Sequence, residues 1–366
     1  MSLPEALQHN RRPAGGWKPF LPALLLMSTL AAAPVPPPNS ALRWSTLPPL
    51  PSPLGVAGPF SGVSGDALLV GGGANFPDRM PWAGGKKIWR DEVYALVGDA
   101  GGWTVVGKLP HPLAYGVSVT TPAGVVCIGG SDAGRHYREV FLMNYDHGMF
   151  SVQPLPDLPL PLANAAGALV GSTIYLAGGT ETPGEQSALN RCFALEMGGK
   201  NAAWTAVEPC PGKARLLPVA AAWEDGFYLF GGAALEPAGG KVARVYLRDA
   251  WRYQPGHGWQ RLADLPRPCV AGPTPAPHLD SRFLLVGGDD GSRAGFQPLE
   301  QHPGFPQTGL AYDLPTDRWC TNGDLPAPRA TVPAVFWRGR FVIPSGEMRP
   351  GVRSPEVWSF RAVGTP

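Results

Sequence analysis

Short apolar runs that end in paired glycines alternate along this chain with aromatic residues that lead into proline turns. The glycine runs are LLVGG at Gly71–Gly72, VCIGG at Gly129–Gly130, YLAGG at Gly178–Gly179, YLFGG at Gly231–Gly232 and LLVGG at Gly287–Gly288, with a weaker VIPSG ending at Gly346. The aromatics open Trp44-STLPPLP, Trp103-TVVGKLP, Phe150-SVQPLPDLP, Trp204-TAVEPCP, Trp259-QRLADLP and Trp319-CTNGDLP. Apolar stretches this short, bounded by Gly, Pro and Asp turns, predict strands. Each repeat reads as four of them. An inner strand rich in Ala, Gly and Val comes first, and a second ends at the glycines. A third carries Tyr, Phe or Trp, and a fourth begins with the Trp or Phe and ends in the Leu-Pro turn.

The repeats recur at about 50–60 residues, near the roughly 50 of kelch blades. The two marks are out of step. The first aromatic precedes the first glycine pair, and the last pair has no aromatic after it. The chain therefore opens with the outer strand of a blade whose other strands come last. This predicts an all-β fold: a six-bladed kelch-type β-propeller over 42–361, closed by the N-terminal strand joining the C-terminal blade. Closure of this kind protects a sheet edge. Small inner residues fit the crowded axis, and the aromatics fill the wider outer wedge as packing. Paired glycines permit close backbone approach.

Composition adds limits. The 48 glycines and 44 prolines among 366 residues are periodic, so they read as turns and strand ends. Charged residues are 16% and the net charge is +2, which excludes nucleic acid as an expected partner. Residues 1–33 differ: Arg11, Arg12 and Lys18 precede the apolar run FLPALLLMSTLAAA. That run is shorter than the roughly 20 residues a spanning helix needs. It reads as a signal peptide, followed by a linker at 34–41. The expectation is export to the periplasm or beyond, without stable membrane insertion. The five cysteines form no CxxC pair. Cys127 reads as core, while Cys192–Cys210 and Cys269–Cys320 pairings both stay open. No spacing suggests a zinc site.

Long excursions after the glycine marks are where chemistry can sit on a rigid scaffold. They span 71–93, 287–309 and 345–357. In the third, Glu347 follows the weakened mark, and Arg349 and Arg353 come within six positions. A carboxylate held near guanidinium groups suits acid–base work on an anionic substrate, and an arginine fork can take a carboxylate. The same residues fit a loop salt bridge equally well.

The segments GGGANFPDRMPWAGGKKIW, GGSDAGRHYREVF and PSGEMRPGVRSPEVW resemble the cyclically permuted mutarotase family, over nearly all of 42–361. The resemblance implies a cofactor-free and metal-free isomerase that interconverts the α and β anomers of a small sugar acid, N-acetylneuraminate. In that family a GE-x-x-PG-x-R string carries the proposed acid–base glutamate and an arginine six positions on. Here those are Glu347 and Arg353. The string lies at the C-terminus, as a circular permutation of the blade order requires. The resemblance also implies substrate-binding roles for Arg215 in PGKARLLP, Tyr115 in LAYGVS, Asn75 and Arg349. Lys86, Lys87 and His302 lie in family-like loops. The fifth-blade loop departs from the family's longer excursion. Exposed edges and loops permit a homodimer. The alternative class is a non-enzymatic propeller that binds a protein or glycan through its loop faces, since fold does not fix function. A copper oxidase on the same architecture needs a His and Tyr ligand set that the seven histidines do not form.

Overall fold

Paired glycines and turn residues break the chain into strands too short to do anything but stack side by side. In the computed structural model, which describes residues 42–363 apart from 100, 185, 200 and 201, they form six four-stranded antiparallel sheets arranged as a β-propeller. The expected signal peptide and linker lie outside the described residues. In the first blade the strands run Phe60–Ser64, Ala67–Gly71, Glu92–Val97 and Thr104–Lys108 from axis to rim. The next four blades repeat this order, starting at Val117, Ala166, Val219 and His278. In the sixth, Val335–Trp337, Arg340–Pro344 and Val357–Ala362 come from the C-terminal end, and Leu42–Leu47 supplies the rim strand. The expected closure by the N-terminal strand is therefore found, with Leu42 opposite Ala362 and Leu47 opposite Val357.

The blades are joined at the axis by a ring of main-chain hydrogen bonds. The N–H of Tyr115 donates to Gly58 O at 2.9 Å, Asn164 to Tyr115 at 2.9 Å, and Leu217 to Asn164 at 2.7 Å. Ala271 donates to Leu217 at 2.8 Å, Thr331 to Ala271 at 2.7 Å, and Gly58 to Thr331 at 2.7 Å, which closes the circle. All six residues have left-handed backbone, with φ from 52° to 63°. Five of them carry side chains, and each such residue costs about 1–2 kcal/mol. The satisfied ring offsets this, because an unpaired buried N–H costs about as much.

A second tier sits one step outward. The second glycine of each mark donates its N–H to a carbonyl of the next blade: Gly130 to Leu162, Gly179 to Arg215, Gly232 to Cys269 and Gly288 to Arg329, all at 2.8–2.9 Å. In the first repeat the pair that does this is Gly72–Gly73, one residue later than the run LLVGG suggests; Gly73 donates to Leu113. The first glycine is forced by proximity: a Cβ on Gly129 would lie 2.2 Å from Leu162 O. Ser345 occupies this place in the sixth blade at φ 78°. Its Oγ accepts from Val56 N at 2.8 Å and reaches Ser354 O at 2.7 Å. The hydroxyl thus enters the contact that glycine leaves to the backbone, which accounts for the degenerate mark.

At the rim the outer-strand tryptophans latch onto the previous blade. The indole Nε1–H of Trp103 donates to Pro48 O, Trp204 to Pro156 O, Trp259 to Glu208 O and Trp319 to Ala263 O, at 2.7–2.9 Å. Each acceptor lies in or next to the preceding proline turn, so the aromatic and proline marks are two halves of one contact.

Gly129 and Gly171 share φ 58°, but nothing stands within 4 Å of a Cβ on Gly171. Gly171→Ala is expected to cost about 1–2 kcal/mol through backbone strain, and Gly129→Ala about 2–5 kcal/mol because the blade contact must also open. Urea unfolding midpoints of the two variants check this; equal losses would remove the packing explanation.

Candidate functional site

The axial ring forms the floor of a cavity of about 490 Å³, and the excursions after the glycine marks form its walls. The local geometry repeats six times. The residue after each glycine pair bridges antiparallel to the residue before the ring position: Ala74 to Ala57, Ser131 to Ala114, Thr180 to Ala163, Ala233 to Leu216, Asp289 to Val270 and Glu347 to Ala330. Two of these six equivalent positions carry a carboxylate, in neighbouring blades, and both line the cavity.

Glu347 starts a two-stranded hairpin, Glu347–Arg349 with Val352–Arg353, in which Glu347 and Arg353 stand opposite each other. Arg353 Nη2 lies 3.0 Å from Glu347 Oε1. Thr331 Oγ1, from the axial ring, donates to Glu347 Oε2 at 3.3 Å. The arginine side chain is 4% exposed and the glutamate 19%. Arg353 also packs 4.7 Å from the Phe76 ring, and its Nε and Nη1 are buried without a protein partner. Both residues line the cavity, but the carboxylate is the more exposed half of the pair and the guanidinium braces it.

Asp289 is held by Tyr246 Oη at 2.8 Å and by Gly291 N at 3.0 Å. Asp132, on the opposite side, accepts from Tyr137 Oη at 2.5 Å and from two main-chain N–H groups. Burial works against its charge, but these hydrogen bonds and Arg135 hold its carboxyl below the usual range. Lys87 and Arg244 also line the cavity, and neither has an acidic partner among the described residues. Tyr115 lines it as well, with its hydroxyl buried and unpartnered.

Of the residues expected at the substrate, Glu347, Arg353 and Tyr115 are brought together. Three are not. Arg215 is 2% exposed and grips Asp249 with two bonds, at 2.9 and 2.6 Å, while also donating to Gly231 O and Lys213 O. It is a strut within the fourth blade, matched in the sixth by the pair Arg329–Glu356. Asn75 follows Ala74, the position equivalent to Glu347, so strand alternation turns it to the other face; it is buried, donating to Gly55 O and accepting from Arg90. Arg349 lies beyond an irregularity in the hairpin and donates to the carbonyls of Glu300 and His302, with its guanidinium over Trp82. His302 is buried in that same loop and accepts from Gly304 N. Lys86 is exposed outside the cavity. Sequence reading missed Asp289 and Arg244 and gave Lys87 no role beyond its place in a family-like loop. Aligning the six glycine marks finds Asp289, because it shares Glu347's position.

A propeller with a carboxylate–guanidinium pair at the floor of an axial cavity defines a class of site suited to proton transfer on a small ligand. The chain belongs to the N-acetylneuraminate epimerase family, whose profile matches residues 32–152 and 155–296. It is similar to the N-acetylneuraminate epimerase of Brucella suis, 43% identical over 131 residues, covering 31% of this chain and 33% of that protein. The N-acetylneuraminate epimerase of Salmonella enteritidis is 47% identical over 110 residues, 26% of this chain and 28% of that one. The matched segment spans about a third of these relatives. A solved structure titled "Structure of YjhT" superposes with a TM-score of 0.62 at 16% identity, over 84% of this chain and 95% of that one, and so shares the fold. Glu347 and Arg353 lie beyond the residues that the family profile matches.

The strut assignment of Arg215 has a pH signature. Burial pushes the Asp249 carboxyl up, but the hydrogen bonds and charge of Arg215, with Trp251, hold it below its usual value. Its folded pKa is thus lower than the unfolded value of about 3.9. The stabilisation is complete above about pH 4 and is lost as pH falls through the lower folded value. Arg215→Met should cost about 3–5 kcal/mol at neutral pH by stranding the carboxylate. It should also reduce or invert the acid-side loss, because burial alone then favours the protonated acid. Urea midpoints from pH 3 to 7 test both.

Proposed function

We propose that this protein is a mutarotase that interconverts the α and β anomers of a sugar acid, N-acetylneuraminate in the first instance, by acid–base catalysis in the axial cavity. The observation that carries this reading is Glu347, a braced carboxylate facing a cavity in a chain of the N-acetylneuraminate epimerase family.

Mutarotation runs through the open-chain form and needs a base for the anomeric hydroxyl and an acid for the ring oxygen. Glu347, as carboxylate, takes the anomeric hydroxyl proton. The electron pair left on that oxygen becomes the carbonyl as the bond from the anomeric carbon to the ring oxygen breaks. The ring oxygen takes a proton from water. Rotation about the bond to the carbonyl carbon presents its other face, and reclosure reverses the steps. The carboxylate is regenerated, so the sequence balances without a redox partner. Arg353 and Thr331 fix the carboxylate's direction, which is the positioning that makes proton transfer efficient.

Glu347→Gln keeps an oxygen for Arg353 and should stay folded while losing about 10²- to 10⁴-fold of the acceleration. The measurement is NMR of anomer exchange in freshly dissolved N-acetylneuraminate. Wild-type rates in this variant would sink the assignment. Binding without exchange by the unmodified protein would favour the binding-propeller reading.

A further inference from the structure

The reading above needs a cation for the substrate's carboxylate; Arg353 lines the cavity but is largely engaged. One of its nitrogens is committed to Glu347, the side chain is 4% exposed, and its remaining N–H groups are buried against Phe76. The cavity offers two other cations, Lys87 and Arg244. In a 2-keto sugar acid the carboxylate is bonded to the anomeric carbon itself. The group that holds it must therefore stand beside the base. Lys87 belongs to the first blade, which adjoins the sixth: Gly346 N donates to Val56 O, and the Glu347 hairpin leans on the Lys87 excursion through Arg353 on Phe76 and Arg349 on Trp82. Arg244 stands on a hairpin of the fourth blade, two blades from Glu347.

We propose that Lys87 is the specificity-determining residue that binds the substrate carboxylate, leaving Arg353 to position the base. Lys87 is presented for the task. Its ammonium lies 4.9 Å from the Tyr115 ring centroid and 5.6 Å from that of Trp89. These rings attract the cation without neutralising it. Tyr115 is itself fixed by the axial ring, so the ammonium is referenced to the same frame as Glu347. The inference rests on the sugar-acid reading, and two readouts keep the two apart.

Lys87→Met should raise KM for N-acetylneuraminate exchange by about 10- to 100-fold, the scale of a hydrogen bond between charged groups, with kcat much less affected. With the N-acetylneuraminate methyl ester, which has no carboxylate charge, Lys87→Met should match the unmodified protein. Lys87→Arg should recover most of the affinity, and Lys86→Met should change nothing. Equilibrium binding of N-acetylneuraminate to Glu347→Gln, with and without Lys87→Met, reads the anchor without turnover. An unchanged KM in Lys87→Met, or a loss carried by Arg244→Met instead, overturns the anchor and leaves mutarotation standing. Lys87-dependent binding with no exchange in the unmodified protein overturns mutarotation and leaves the anchor standing. Failure of the sugar acid to bind at all overturns both.

Discussion

Everything in this propeller is referenced to the ring of six main-chain hydrogen bonds around its axis. Each blade donates one N–H and accepts one in return, so no blade can rotate or slide outward without breaking two. The left-handed conformation at all six positions turns the chain from the preceding loop into the inner strand, and it sets the residues just before the ring against those just after the glycine pairs. Glu347 and Asp289 face the cavity for this reason. Their placement is a property of the ring and would belong to any side chain there.

The candidate site lies on the one blade that departs from the rule. Where the other marks have two glycines, the sixth has Ser345–Gly346, and the serine hydroxyl bonds groups on both sides of the seam. The hairpin that follows is only two short strands, yet it brings Glu347 and its brace Arg353 to the cavity, the carboxylate the more exposed of the two. Two other buried arginines, Arg215 and Arg329, occupy equivalent places in alternate blades and bond acids at the start of the third strand. The same side chain thus serves as scaffold in two blades and as the brace of Glu347 in a third position.

Sequence made the blade count and the closure legible, because glycine pairs and Trp–Pro turns mark places where the backbone itself is constrained. The glycines are required by carbonyls that would overlap a Cβ, and the tryptophans by carbonyls of the neighbouring turn. Side-chain direction was less legible. Asn75 sits in a family-like string beside Ala74, the position equivalent to Glu347, but one step along a strand reverses the face. Arg349 is two residues from Glu347, where alternation alone would keep it on the same side, and an irregularity in a hairpin turns it outward. Arg215 opens its blade as expected but is consumed by Asp249, thirty-four residues away, which no local pattern announces.

The ring also divides the axis. Above it the cavity offers about 490 Å³, whereas the space directly beneath has about 50 Å³, room for a water molecule or two. That waist is too small for a sugar, and beyond it the inner strands open on a second space of about 380 Å³. On the proposed reading both anomers come and go on the excursion side, facing the same charges in either direction. Such a chamber would give no sense to the traffic through it: it could hasten an equilibrium but not draw one anomer out ahead of the other.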